Sequence, residues 1–186
     1  MRGIRNIFRS IVLFALVAFS FTSCEEMAQD VSGVTVKVPI DRIVFNPQNN
    51  RVSSDFSEEN YYQKEIDFDV DSLLDANGVN YLQKAELANL FLGVVRPENL
   101  SLSFLSSARV SVSKFEDFRQ ETIVAESENF NVSENEVEFM IHDVDVRSYL
   151  KSDVFYIRIY CDMNHSTQIE EATKLYVDGT LKVKME

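Results

Sequence analysis

The chain has 186 residues, of which 30 are acidic and 18 are lysine or arginine, so its formal net charge is −12. So acidic a chain, without any run of basic residues, repels phosphate backbones, and this disfavours nucleic-acid binding. The chain is long enough to bury a core as one domain, and its two cysteines disfavour a fold held together by disulfides.

The first 23 residues have the layout of a signal peptide. Arg2, Arg5 and Arg9 precede an apolar run from Ile11 to Phe21, and this region contains no acidic residue. The run is too short for a membrane-spanning helix, which needs about 20 residues. We therefore predict a signal peptide over residues 1–23, whose removal leaves 15 basic and 30 acidic side chains and a formal charge of −15.

The residues after the apolar run resemble a lipobox. Thr22, Ser23 and Cys24 are similar to the cleavage site of bacterial lipoproteins, although Phe21 stands where that family prefers an aliphatic residue. The resemblance implies that Cys24 becomes the acylated first residue and anchors the protein, since each buried CH₂ group contributes about 0.8 kcal/mol. The alternative is an ordinary secretory signal that is cleaved nearby.

An acidic segment follows the cysteine. Glu25, Glu26 and the nearby Asp30 resemble the export signals of Bacteroidota lipoproteins that reach the cell surface. The alternative is a solvated tether whose charges serve only solubility. Residues 24–32 are thus expected to form a flexible acidic tether. The implied location is the cell envelope, with a lipid anchor in the outer membrane and the domain on either its periplasmic or its outer side.

Alternation of apolar and polar residues dominates residues 33–186. In "ARVSVSKF", for example, Val110 and Val112 alternate with serines, as in half-buried antiparallel strands. Turn signals such as Asn46-Pro47 and Asn77-Gly78 separate the runs. The spacing predicts an all-β fold, an antiparallel β-sandwich that is Ig-like or jelly-roll-like, in a single domain. The eight predicted strands cover residues 33–45, 61–71, 84–95, 107–116, 121–127, 135–142, 154–163 and 173–185.

Two of these segments allow alternatives. Residues 84–95 are rich in helix formers, but their second half is apolar on both faces, so we interpret them as a central strand. In "LYVDGTLKV", Asp178-Gly179 predicts either a hairpin turn or a bulge within one long strand.

Short helical turns are expected at two places. Asp71 is predicted to cap "SLLDAN", with Gly78 as its left-handed terminator. Asp145 is predicted to cap "VRSYL", which places Val146 and Leu150 on one side of the turn. Turns of this kind usually close the ends of a sandwich.

A broader resemblance covers Phe104 to Asp162. The segments "FLSSARVSVSKF", "ETIVAES" and "DVRSYL" are similar to the β-sandwich domain of small Bacteroidota lipoproteins. The match covers less than a third of the chain, and its motifs are of the packing type. It implies the fold and the envelope location, and it implies no activity, because that family has none assigned.

Three aspartates are candidate metal ligands. Asp67, Asp69 and Asp71 have the spacing that opens a calcium loop, but Ser72 stands where that loop needs Gly and Gly78 where it needs Glu, which excludes an EF-hand. On one face of a strand, the three carboxylates repel one another, and a divalent cation or a lysine on a neighbouring strand would relieve this. The alternative is a solvated acidic face.

Other chemistry depends on few residues. A zinc site needs three or four nitrogen or sulfur ligands, and His142, His165 and Cys161 are the only candidates besides Cys24. We interpret Cys161, in the strand-like "VFYIRIYCDM", as a small core residue rather than a nucleophile. The sequence contains no phosphate-binding glycine loop, dinucleotide fingerprint or Gly-x-Ser-x-Gly elbow. We expect neither a cofactor nor enzymatic activity.

The candidate ligand-contacting aromatics are Tyr61 and Tyr62, with Tyr81 as a further choice. Consecutive strand residues face opposite ways, so one of the first two rings is expected to point outward and offer a platform for a sugar. The alternative is an edge ring packed under the long loop before it.

These observations leave three functions. The favoured one is a non-catalytic, lipid-anchored envelope protein that binds or scaffolds another envelope component, either a protein or an extracellular polysaccharide. The second is a structural or assembly subunit of a surface complex or fibre, which engages its partners through an edge strand. The third is a hydrolase, for which we recognise no catalytic constellation.

Overall fold

The structure is a computed structural model that describes residues 33–47, 51–52, 60–128, 130, 134–152, 154–164 and 172–186. The predicted signal peptide, Cys24, the acidic tether and His165 lie outside the described residues. Within the described residues, no helix has the length and apolar character needed to cross a bilayer.

The described residues form ten strands, two short helices and one 3-10 turn. The strands are β1 (Val34–Phe45), β2 (Arg51–Val52), β3 (Asn60–Ile66), β4 (Leu82–Arg96), β5 (Leu105–Ser113), β6 (Thr122–Glu128), β7 (Glu136–Glu138), β8 (Met140–Ile141), β9 (Phe155–Met163) and β10 (Lys174–Met185). The helices are α1 (Val70–Asn77) and α2 (Arg147–Leu150), and the 3-10 turn is Leu102–Phe104.

The strands form two antiparallel sheets. The four-stranded sheet has the order β1-β10-β4-β7, and the six-stranded sheet has the order β2-β3-β9-β5-β6-β8. Each sheet buries one face, as the alternation of apolar residues requires. Leu92 and Leu175 of the first sheet and Ile159 of the second are completely buried in one common core. The predicted antiparallel β-sandwich with short helical turns is confirmed, and the segment rich in helix formers is a central strand, β4.

The prediction of one strand over residues 61–71 is wrong. Strand β3 ends at Ile66, and helix α1 begins at Val70. The reason is a local cap: the Asp69 carboxylate accepts hydrogen bonds from the Ser72 backbone N–H at 2.9 Å and from the Ser72 hydroxyl at 2.5 Å. Asp69 therefore caps the helix instead of the predicted Asp71, while Gly78 ends it in the left-handed conformation as expected.

The second helical turn is also shifted by one residue. Val146 takes the capping position of α2, where Asp145 was predicted. Asp145 still binds the first turn, because its carboxylate accepts the Arg147 N–H at 3.0 Å, and it also accepts the Ala85 N–H of β4 at 3.2 Å. One carboxylate thus joins the helix to the four-stranded sheet. Val146 and Leu150, which were predicted to lie on one side of this turn, are both buried.

The predicted strand over residues 135–142 divides between the two sheets. Strand β7 pairs with β4 in the four-stranded sheet, whereas β8 pairs with β6 in the six-stranded sheet. The chain crosses over at Phe139, which is buried and donates its N–H to the Leu90 carbonyl at 2.9 Å. This short crossing connects the edge strands β7 and β8 of the two sheets.

Strand β10 runs without interruption through Asp178-Gly179, so the segment is not a hairpin. The irregularities closest to this segment lie in its two neighbours, in β1 between Ile40 and Ile43 and in β4 near Asn89. A Cβ atom on Gly179 would lie 2.4 Å from the Asn89 carbonyl oxygen, so the close approach of β4 requires glycine here.

We expect Gly179→Ala to lower the free energy of unfolding by about 1–3 kcal/mol, because the added methyl group collides with backbone that cannot move aside. Thr180→Ala, on the next residue of the same strand, is the matched control and should change stability by less than about 0.5 kcal/mol. Chemical denaturation measures both values. Equal stability of the two variants would contradict the close approach.

Candidate functional site

An apolar cavity of about 280 Å³ lies between the two sheets. Both sheets contribute its walls, because apolar residues of their inner faces meet here without filling the space. The walls include Leu87, Leu90, Val112, Ile157, Val177 and Leu181. The volume is roughly twice that of an engineered cavity of about 150 Å³ that stays dry and binds benzene. The interior can therefore hold a sizeable apolar group.

The cavity opens between two sheet edges. Its exposed lining residues, which together form the mouth of the cavity, are Pro39 and Asp41 of β1, Lys64 and Glu65 of β3, and Asp67 directly after β3. Strand β1 is the edge of the four-stranded sheet. Strand β2 pairs only with the first two residues of β3, so the rest of β3 is an edge among the described residues. As far as the described residues go, a ligand would reach the interior between these two edges.

Lys64 is the single basic residue of the described cavity lining. It occupies the same face of β3 as Tyr62 and Ile66, which pack against the core, and it pairs across the sheet with Ile157 of the cavity wall. Among the described residues its ammonium group has no ion-pair partner. An inward-facing lysine on an edge strand also discourages pairing with another strand.

The polar groups of the cavity are few. Tyr149 donates its hydroxyl to the Thr122 hydroxyl at 2.7 Å. The described lining contains no serine, cysteine or histidine, the usual nucleophiles and bases of hydrolases. The arrangement can bind an apolar group and present charges at its entrance.

The three candidate metal ligands are separated by the change from strand to helix. Asp67 lies at the cavity mouth, Asp69 caps α1, and Asp71 lies in the first turn of that helix. The hydrogen bonds from Ser72 hold the pKa of Asp69 below its usual value. The premise that all three share one strand face is wrong. Among the described residues, no three histidine, cysteine, aspartate or glutamate side chains gather to hold a metal ion.

The two consecutive tyrosines face opposite sides of β3, but neither offers a bare ring. Tyr62 stacks on Phe45, with ring centroids 5.4 Å apart. Tyr61 lies on the outer face and is only 9% exposed, because Tyr160 and the Arg158 guanidinium cover it. The expected outward platform is therefore not formed by these rings. Tyr81 is more exposed, and its hydroxyl donates to Glu186 at 2.5 Å.

Arg158 holds the outer face of the six-stranded sheet together. Its guanidinium lies 4.1 Å from the Tyr61 ring centroid and 3.9 Å from that of Phe118. Its Nε donates to Gln63 at 2.8 Å. Phe118 adopts a φ of 56° in the loop after β5 and is buried against the sheet. These contacts fix β3 against β9 and thereby position Lys64 at the cavity mouth.

The remaining candidates of the sequence analysis lie apart from the cavity lining. The His142 Nε2 atom lies 3.0 Å from Glu126 Oε1. Cys161 is a buried core residue, as predicted, and its burial, with a smaller contribution from Asp162, raises the pKa of its thiol to about 12.

Neither a protein-family model nor a curated protein matches the chain. Among solved structures, an empty head of turnip yellow mosaic virus is similar at 13% identity, over 90% of this chain and 89% of that chain, with a TM-score of 0.30. Desmodium yellow mottle tymovirus is similar at 9% identity, over 90% of this chain and 96% of that chain, with a TM-score of 0.29. Likeness at this level carries no argument about function.

We expect Asp69→Ala to lower the free energy of unfolding by about 1 kcal/mol, because α1 loses the carboxylate that binds Ser72. Asp67→Ala is the matched control, since Asp67 caps no helix, and should change stability by less than about 0.5 kcal/mol. Chemical denaturation with and without calcium measures both. Equal losses, together with stabilisation by calcium, would favour a metal site over a helix cap.

Cys161 is expected to resist alkylation in the native protein. A thiol pKa of about 12 keeps the group protonated at neutral and mildly alkaline pH, and burial blocks the reagent. In a Cys24→Ala protein, where Cys161 is the single thiol, labelling by iodoacetamide near pH 8 should be on the order of a thousand-fold slower than in the denatured protein. Similar rates in both states would contradict the burial of this residue.

Proposed function

We propose that this chain is a non-catalytic, lipid-anchored envelope protein whose β-sandwich binds another component of the envelope. The observation that carries the proposal is the apolar cavity between the sheets. It has a defined entrance and an apolar interior, as binding sites for small molecules do. Its described lining offers carboxylates and one lysine at the entrance but no serine, cysteine or histidine, which favours binding over catalysis.

The anchor in this proposal is an acylated Cys24 that follows a cleaved signal peptide. The arginines before the apolar run and the small residues before the cysteine support it. The acidic residues after Cys24 support export toward the cell surface, so we place the protein at the outer membrane. Its acidic charge provides no attraction to anionic headgroups, and the acyl chains therefore supply the attachment.

The second candidate is an assembly subunit that pairs with a partner strand. The exposed edges of β1 and β3 favour it, because both flank an apolar cavity that could take side chains of an added strand. Three features oppose it. Pro39 has no backbone N–H to donate, β1 is irregular between Ile40 and Ile43, and Lys64 brings a charge to the inner face. The two edges thus favour admission of a ligand over addition of a strand.

We expect Cys24→Ala to move the protein from the membrane fraction to the soluble fraction of its native host, because the substitution removes the acylated thiol. Cys161→Ala, at a cysteine outside the anchor, is the matched control and should stay with the membrane. Fractionation with immunoblotting measures both, and mass spectrometry of the native amino terminus should find the added acyl mass. An unmodified amino terminus, or membrane retention of the Cys24→Ala protein, would overturn the proposed anchor.

A further inference from the structure

We infer that the cavity between the sheets binds the hydrocarbon part of a single-chain amphiphile whose polar end is uncharged or cationic. The inference rests on the proposed binding function and names its ligand class. The apolar walls select the hydrocarbon, and the charges at the mouth select the polar end.

The interior selects an apolar group because its walls offer almost no hydrogen bonds. Six aliphatic side chains, on β4, β5, β9 and β10, line the cavity, which has a volume of about 280 Å³. Water in such a space would lack the two to four polar partners that it needs. A hydrocarbon chain that fills the space removes its own surface and that of the walls from water, which is the main driving force for apolar binding.

The mouth selects the polar end by charge. Asp41 and Asp67 bring two carboxylic side chains to it, and Lys64 contributes the one ammonium group, whereas the neighbouring Glu65 lies on the other face of β3 and interacts with Tyr156. On β1, Arg42 follows Asp41 directly, but it forms an ion pair with Asp178 at 2.6 Å. The local balance is therefore negative. An anionic head such as a fatty-acid carboxylate is repelled, whereas an alcohol is tolerated and an ammonium is attracted.

The entrance lies at the side of the sandwich and can admit a hydrocarbon chain. Pro39 on one edge and Lys64 on the other leave the gap between β1 and β3 without a bridging strand among the described residues. A lysine in this position extends its methylene groups along apolar surface and keeps its ammonium in water. The aliphatic part of Lys64 can therefore border the hydrocarbon while its charge stays at the head of the ligand.

The test uses the Cys24→Ala protein purified without detergent. A neutral fluorescent probe, N-phenyl-1-naphthylamine, is displaced by three amphiphiles that share one alkyl chain: decylamine, decanol and decanoate, each below its micelle concentration. The dissociation constants of decylamine and decanol are expected to be about ten-fold lower than that of decanoate. Added salt screens the charges and is expected to reduce this difference. Absence of saturable binding, or equal constants for the three heads, would overturn the inference.

Two variants test whether the ligand binds in the cavity. Val112→Phe adds a ring to the wall and is expected to abolish probe binding, while the melting temperature is kept or raised. Val183→Phe, at a buried position outside the described cavity lining, is the matched control: it lowers the melting temperature and keeps binding. Unchanged binding by a folded Val112→Phe protein would place the ligand elsewhere and overturn the inference.

The exposed mouth offers a variant that does not endanger the core. Asp41→Asn combined with Asp67→Asn removes two carboxylates from the entrance and is expected to reduce the preference for decylamine over decanoate about ten-fold. An unchanged preference would contradict the role of the mouth.

If membrane anchoring through Cys24 is found and no amphiphile binds, this inference fails while the proposed envelope function stands. If amphiphiles bind in the expected order and the Cys24→Ala protein stays at the membrane, the anchor fails and the cavity assignment stands.

Discussion

The hydrophobic contact between the two sheets is the interaction on which the rest of the structure depends. Each strand alternates its side chains, so each sheet offers one apolar face, and the two faces bury one another. Where buried residues such as Leu92, Leu175 and Ile159 meet, the contact is complete. Toward the edges formed by β1 and β3, the faces leave a space instead. The cavity is thus the place where the two sheets, which elsewhere pack directly on one another, are not in full contact.

Contacts on the two outer faces keep the edge strands in place beside this space. On the six-stranded sheet, Arg158 lies between the rings of Tyr61 and Phe118 and joins β3 to β9. On the four-stranded sheet, the Arg42 guanidinium lies 3.9 Å from the ring centroid of Tyr176 and pairs with Asp178, which joins β1 to β10. Burial, and to a smaller extent the hydrogen bond to Glu136, raises the pKa of Tyr176 to about 12. Both edges of the cavity are therefore anchored from outside.

The sequence allowed prediction of the strand pattern, because alternation is a local property. It predicted the strand character of β4 against its helix formers, because the second half of that segment is apolar on both faces. It misplaced the boundary at Asp69, where a capping hydrogen bond outweighs the continued alternation. The change of sheet at Phe139 depends on tertiary pairing, which no local pattern specifies. Lys64 is a signal that the sequence does contain: it alternates with Tyr62 and Ile66, which predicts a lysine on the inner face of β3.

The cavity itself was beyond sequence analysis, because its volume depends on how two sheets, distant in sequence, approach each other. A crystal of the protein pressurised with xenon tests it most directly, since xenon enters dry apolar cavities of this size. The account predicts a xenon atom between the sheets, in contact with Leu90, Val112 and Ile157. Sheets in full contact at this place, with no xenon between them, would contradict it.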